Sequence, residues 1–214
     1  MCGINGTTHN DVARVTEMNM RTKHRGPDGT AVWEGVGVTF GHNRLAIIDL
    51  TENGKQPMHD QTGRYTITFN GEIYNYRELR QELAHRYSFR TESDTEVLLA
   101  SYAIWGMGMF ERLRGIFAFG IWDRDTQTLV LARDHMGVKP LYYRVHDGVL
   151  TFSSELSPLI ATMTSPTLSY ESVAFYLAME YVPSPRTLIV GIEKLPPGHA
   201  LTWKKGVISI ASYL

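Results

Sequence analysis

A cysteine stands at position 2, directly after the initiator residue, in the run Met1-Cys2-Gly3-Ile4-Asn5-Gly6. Removal of Met1, which is favoured when the next side chain is small, would leave a thiol and a free α-amine on the same residue. An α-amine titrates near pH ~8, close enough to neutrality to take a proton from a thiol, which a backbone amide cannot do. The pattern therefore allows a nucleophile that carries its own base. The ordinary reading of such a cysteine is a residue on a frayed terminus. Against that reading, Gly3-Ile4-Asn5-Gly6 is apolar and glycine-bearing, as expected of a buried strand.

Three further sets of residues have chemistry to offer. Asn70-Gly71-Glu72 follows the apolar run Tyr65-Thr66-Ile67-Thr68-Phe69. Asn-Gly is usually a hairpin turn; because Ile73-Tyr74-Asn75 leads onward into a helical pattern, a turn from strand to helix is the alternative. An amide side chain next to a glycine N–H could then give two donors to one oxyanion. Arg44 sits between His42-Asn43 and Leu45-Ala46-Ile47-Ile48, where a guanidinium fork at a strand start could take a carboxylate bidentately; a structural ion pair with Asp49 is the alternative. Asp94 at a helix start could hold a substrate ammonium, although capping is the commoner task for that residue type. Arg25-Gly26-Pro27-Asp28-Gly29 has ordinary turn chemistry throughout.

The elements that must position these residues are legible in outline. Helical pattern covers Asp11 to Thr22, Tyr76 to Arg86 and Asp94 to Trp105, with Asn75/Glu78 and Ser93/Glu96 at capping-box spacing. Strand-like runs span Gly37 to Phe40, Leu45 to Leu50, Tyr65 to Phe69, Ile116 to Trp122, Leu129 to Arg133, Leu141 to Val145 and Val149 to Ser153, the last two divided by Asp147-Gly148. Hairpin strands with grouped helices predict an α+β protein with antiparallel sheets covered by helices. From about Pro166 the character changes. Ser169 to Met179 reads as helix, Tyr181-Val182-Pro183-Ser184-Pro185 as proline-stiffened extended chain, and Leu195 to His199 as a turn. Residues 1–165 are therefore expected to form one domain and 166–214 a peripheral extension.

Composition narrows the function classes. With 214 residues, 43% hydrophobic, a sizeable core is available. Lys and Arg number 21 against 22 acidic residues, which gives no long-range attraction to nucleic acid or an anionic membrane. The single cysteine rules out an intrachain disulfide and a four-cysteine zinc site. The start has no cationic segment followed by an apolar one, and no apolar run is long enough to span a bilayer, so a cytoplasmic protein is expected. Phosphate-binding loops, a Gly-x-Ser-x-Gly elbow and His-Glu-x-x-His are all absent from the sequence, and the eight histidines show no ligand spacing. No metal or nucleotide is called for.

Taken together, the segments resemble the glutaminase domain of asparagine synthetases, class II glutamine amidotransferases with the N-terminal nucleophile hydrolase fold. The resemblance rests on Met1-Cys2-Gly3-Ile4, Arg25-Gly26-Pro27-Asp28, Arg44 to Leu50, Gln56-Pro57-Met58, Phe69 to Asn75 and Ser93 to Leu99. It continues through Gly115 to Phe119, Ala132-Arg133-Asp134, Gly137 to Tyr143, Tyr181 to Pro185 and Lys194 to His199. Each motif is weak alone; their number and order are not.

The resemblance implies a four-layer αββα sandwich and assigns roles. Cys2 would attack the side-chain amide of L-glutamine, with its own α-amine as base. Asn70 and the N–H of Gly71 would hold the oxyanion, Arg44 the α-carboxylate and Asp94 the α-ammonium, while Glu72 with Leu45, Ala46, Ile47 and Ile48 would line the pocket. No cofactor is implied for these residues. ATP and magnesium belong to a synthetase domain whose Ser-Gly-Gly-x-Asp-Ser motif does not occur here. That domain, or a separate chain, is the implied acceptor of ammonia, and a homodimer is compatible with the resemblance. The segment Ser154-Glu155-Leu156-Ser157-Pro158-Leu159 departs from the family pattern in lacking its lysine and alanine. Two rivals stay open at this level: an N-terminal nucleophile amidase for another amide, and a catalytically silent scaffold that regulates a separate synthetase chain.

Overall fold

Strand β1 (Gly3–Thr7) runs through the middle of a six-stranded antiparallel sheet, between β3 (Val38–Arg44) and β9 (Val149–Ser153), in a computed structural model that describes residues 1–214. Outside these lie β2 (Gly29–Gly35) on one side and β8 (Tyr142–His146) and β10 (Glu193–Lys194) on the other. A second antiparallel sheet has the order β12-β11-β7-β6-β5-β4, built from β4 (Met58–His59), β5 (Tyr65–Ile73), β6 (Gly115–Asp123), β7 (Thr128–Arg133), β11 (His199–Lys204) and β12 (Val207–Ser212).

The two sheets close on each other over Ile4, Phe40, Phe152, Trp122, Leu131 and Leu201. On its far side the second sheet packs Ile67, Phe69 and Phe119 against α2 (Tyr76–Leu83) and α3 (Asp94–Trp105). The first sheet carries α1 (Val12–Arg21) and α4 (Leu156–Ala161), which meet over Met18 and Leu159. The result is the expected four-layer α+β sandwich. Every residue from Asp94 to Ser101 is buried, so this helix carries the consecutive apolar run Val97 to Ala100 rather than a single apolar stripe.

Period-two alternation decides what faces the space between the sheets. Along β1, Ile4 enters the inter-sheet core, and a Cβ on Gly6 would lie 2.5 Å from Phe152. Asn5 points the other way, to α1, where its amide donates to Asn19 Oδ1 (2.8 Å) and Thr22 Oγ1 (2.9 Å). Asn43 joins the same buried network through Asn19 O and Thr22 Oγ1, and Ser153 Oγ donates to Asn5 Oδ1 at 2.7 Å. By the same parity Cys2 faces inward, as do Phe40, His42 and Arg44 of β3. On β5, Thr68 donates to Gly41 O across the gap, so Thr68, Asn70 and Glu72 face the first sheet.

Several expectations need correction. Leu45 to Leu50 is not a strand. Strand β3 ends at Arg44, where its ladders stop: the last pairs are Gly3 with Asn43 on one side and Gly29 with Arg44 on the other. Asn70-Gly71 is not a turn but lies within β5, opposite Ala118 and Phe117 of a long β6. Only glycine fits at 71, because a Cβ there would lie 2.3 Å from Ile116 O. The Asn75/Glu78 capping box does not form, since Asn75 instead binds Arg112 O (2.9 Å) and Arg114 N (3.0 Å). Ser93 does cap α3 through Glu96 N, but the Glu96 carboxylate accepts from Arg90 N and Thr91 N rather than closing the box. The stretch after residue 165 is only partly peripheral. In α5 (Tyr170–Met179) Ser172 alone is buried, whereas β11 pairs with β7 along its length, and Leu195 and Leu201 are fully buried between the sheets.

Candidate active site

At one end of the inter-sheet space lies an open-mouthed pocket of about 100 Å³. All the predicted site residues line it: Cys2, Arg44, Leu45 to Ile48, Asn70 to Glu72, and Asp94. The first sheet contributes Cys2 and Arg44, the second Asn70 to Glu72, and the start of α3 contributes Asp94.

The Cys2 thiol rests against the chain just beyond β3. Leu45 N–H lies 3.4 Å from Sγ and Leu45 O lies 3.6 Å from it. Burial pushes the thiol above its ordinary pKa; the Leu45 N–H, the amino terminus and Arg44 oppose that rise, and Asp94 adds to it. A thiol held neutral at neutral pH needs a base before it can attack.

Across the gap, Asn70 is 1% exposed and its Nδ2 has no hydrogen-bond partner. Buried amide donors are rarely left unpaired, because each unmade bond costs about 1–3 kcal/mol. The neighbouring Gly71 N–H is placed by ladder parity. Tyr74 N donates to Arg114 O and Arg124 N to Arg64 O, so even-numbered residues of β5 bond to β6. The odd-numbered ones turn outward, Phe69 N to Gln56 Oε1 (2.6 Å) and Ile73 N to Asp94 Oδ2 (3.0 Å). Gly71 N–H points the same way between them, where β4, paired only at Ile67 and Thr66, no longer reaches. Two donors without protein partners therefore sit on adjacent residues.

Arg44 reaches the loop that follows it. Nη1 donates to Thr51 O at 2.9 Å and Nη2 to Asp49 O, with Gly54 packed so close that a Cβ there would lie 2.6 Å from Nη2. The Asp49 carboxylate is engaged elsewhere, by Thr51 N and Oγ1 and by Glu92 N. No carboxylate partners Arg44, so the ion-pair alternative is not what is built, and the guanidinium keeps N–H groups for a ligand. Of the apolar stretch, Leu45, Ala46 and Ile48 are half-buried, whereas Ile47 is exposed. Asp94 is buried, and loss of solvent raises its pKa to about 6, with Ile73 N–H opposing and Glu72 adding to the rise. A carboxylate in that state is stabilised by any cation that enters the pocket.

Two pocket neighbours had been read only as turn or motif residues. Arg25 donates from Nε to the Cys2 carbonyl at 2.9 Å. Lys139 is buried with its Nζ 3.3 Å from Met1 Sδ, on a loop fixed by Asp134, whose carboxylate accepts from Phe117 N, Met136 N, Val138 N and Lys139 N. A charged residue beside glycine and proline was the only signal for either.

The profile of the glutamine amidotransferase domain family matches residues 1–214. The chain belongs to that family. Asparagine synthetase [glutamine-hydrolyzing] 1 of Bacillus subtilis is 40% identical over the whole of this chain, which covers 35% of that protein. A putative asparagine synthetase [glutamine-hydrolyzing] of Mycobacterium tuberculosis is 41% identical over 87% of the chain and 30% of its own length. This amidotransferase domain thus spans about a third of the length of the curated relatives it matches. In fold it superimposes over its full length on the glutamine phosphoribosylpyrophosphate amidotransferase of B. subtilis, with a TM-score of 0.72, 18% identity and 49% coverage of that structure. This is the N-terminal nucleophile hydrolase fold.

Proposed function

We propose that this domain hydrolyses L-glutamine to L-glutamate and ammonia, with Cys2 as nucleophile once Met1 is removed. The observation that carries the reading is the unpartnered Asn70 Nδ2 beside the outward Gly71 N–H, facing the thiol across the pocket. Two donors without protein partners suit a negatively charged oxygen that exists only during reaction. The Cys2 α-amine takes the thiol proton, directly or through a water. The thiolate adds to the side-chain carbonyl, and the oxyanion settles on Asn70 and Gly71. The protonated amine returns its proton to the departing nitrogen, releasing ammonia. Water then cleaves the glutamyl thioester with the same amine as base.

Recognition follows from charge. A free amino acid presents one carboxylate and one ammonium, and the pocket offers Arg44 without a carboxylate partner and Asp94 without a cation. That pairing disfavours the rival amidase for a hydrophobic acyl group. Glu72 and the Leu45 to Ile48 segment flank the substrate. These steps use a thiol, an amine and amide donors, so they call for no metal or nucleotide here. Ammonia would pass to a synthetase domain or separate chain using ATP and magnesium, with aspartate as acceptor by analogy with the relatives' names, in the cytoplasm. No helix in the structure is long and apolar enough to cross a membrane.

The test is intact-mass measurement before and after treatment with 6-diazo-5-oxo-L-norleucine, followed by mapping of the adduct. Loss of Met1 and one adduct on Cys2, blocked by glutamine, is expected. A retained Met1, or a processed Cys2 that stays unlabelled while the partner synthetase still binds, would overturn the reading in favour of a silent scaffold.

A further inference from the structure

The corner Ser153-Ser154-Glu155 at the end of β9 has no part in the reaction above, yet it grips the nucleophile's strand at consecutive positions. Ser153 Oγ donates to Asn5 Oδ1. Ser154 N donates to Ile4 O at 2.9 Å, and Ile4 N donates back to Ser154 Oγ at 3.0 Å. Cys2 stands one residue beyond the paired part of β1, so its carbonyl accepts no backbone N–H from a neighbouring strand. Its donor is Arg25 Nε. The Arg25 side chain is 9% exposed and is oriented from behind by Glu155, whose Oε1 accepts from Nη1 at 3.0 Å. The same oxygen meets His24 Nε2 at 2.9 Å on the solvent side. Nη2 of Arg25 is buried without a partner, so Glu155 and Cys2 O are the two contacts that define where this guanidinium lies.

We propose that Glu155 is a positioning residue for the nucleophile: it fixes Arg25, Arg25 fixes the Cys2 carbonyl, and that peptide plane fixes the direction in which the thiol and the α-amine leave the strand. The proposal rests on Cys2 being the nucleophile. It gives a role to the glutamate two residues beyond β9, in a segment that lacks the family's lysine and alanine. A rotation about the Cys2 backbone would swing thiol and amine together, away from Asn70 and Gly71, without disturbing Arg44 or Asp94. Loss of Glu155 should therefore act on turnover and spare affinity.

The test uses the full chain with Glu155→Gln, Arg25→Gln and the double substitution, each followed by glutamine hydrolysis, the rate of Cys2 alkylation by iodoacetamide, and thermal melting. The expected result for Glu155→Gln is a kcat lowered roughly tenfold with KM within about twofold of the parent. The double variant should turn over no more slowly than Arg25→Gln alone, because the carboxylate acts through the guanidinium. A full tenfold further loss in the Arg25→Gln background, an unchanged kcat, or a parallel loss of kcat and affinity with a lowered Tm would each overturn the proposal. Should Glu155→Gln fail to fold, Glu155→Asp keeps the charge, shortens the reach by one methylene and is expected to lower kcat in the same selective way. A parent enzyme that hydrolyses no glutamine would sink the glutaminase reading. The clamp would then be judged on alkylation alone, with Glu155→Gln expected to change the rate in the parent but not in Arg25→Gln.

Discussion

The two walls of the pocket are built by different means. Behind Cys2, β1 is paired on both sides and buried over all five residues, and its outward face is tied through Asn5 to Asn19, Thr22 and Ser153. Beside it, the segment after Arg44 belongs to no sheet. It is held by side-chain contacts: Asp49 on Thr51 and Glu92, Asp28 on Ala46 N, and Arg44 on two carbonyls. The reacting groups sit on or beside paired sheet, whereas the segment that buttresses the Arg44 fork is held by side chains alone. Such a division lets the substrate complete one wall while the reacting atoms stay aligned.

Substitutions can break this division or sharpen it. The largest effect is expected from Cys2→Ser, which should abolish measurable glutamine hydrolysis while calorimetric titration still detects glutamine binding; retained turnover would sink the nucleophile assignment. Next comes Asn70→Ala, expected to lower kcat by about 10²–10³ with little change in KM, as for loss of one oxyanion donor. An equal loss in KM would move Asn70 to the recognition wall. Arg44→Ala should do the reverse, raising KM about 10- to 100-fold, the worth of a hydrogen bond to a charged group, with kcat nearly kept. Full affinity in steady-state kinetics would refute its carboxylate role.

Asp94→Asn ties recognition to pH. The folded-state pKa of Asp94 is raised to about 6 from 3.8, so the charged form costs stability that is absent below pH ~4 and is incurred as pH rises through about 6. The variant should therefore melt higher than the parent at pH 8, by a few degrees, and similarly at pH 4. It should also bind glutamine far more weakly, and the parent's KM should rise as pH falls below about 6. A Tm at pH 8 that drops would show that the carboxylate is structural. The smallest effect is reserved for Asp49→Ala, which loosens only the loop and should raise KM about two- to fivefold with kcat unchanged.

The α+β class, α3 to the residue and ten of the residues that line the pocket were legible from pattern and motif. What was not legible depended on neighbours distant in sequence. Leu45 to Leu50 has strand composition, but a strand needs a partner, and whether β1 and β2 extend that far is decided by pairings that no local window contains. Asn70-Gly71 reads as a turn because its residue types allow one; the opposing β6 overrides that allowance by offering a ladder through Ile73. Arg25 was missed because its partners, Cys2 O and Glu155, lie 23 and 130 residues away.

The position of β1 also sets an order of events during synthesis. One of its two neighbours, β9, begins at Val149, so at typical ribosomal speeds of ~5–20 residues per second Cys2 waits roughly seven to thirty seconds before its strand gains that partner. Until then β1 can pair only with β3, the neighbour made first. After docking, Met1 belongs to the wall of the pocket. Closure of this sheet is thus scheduled by topology: the first strand of the chain is locked on its second side only by one that begins at Val149.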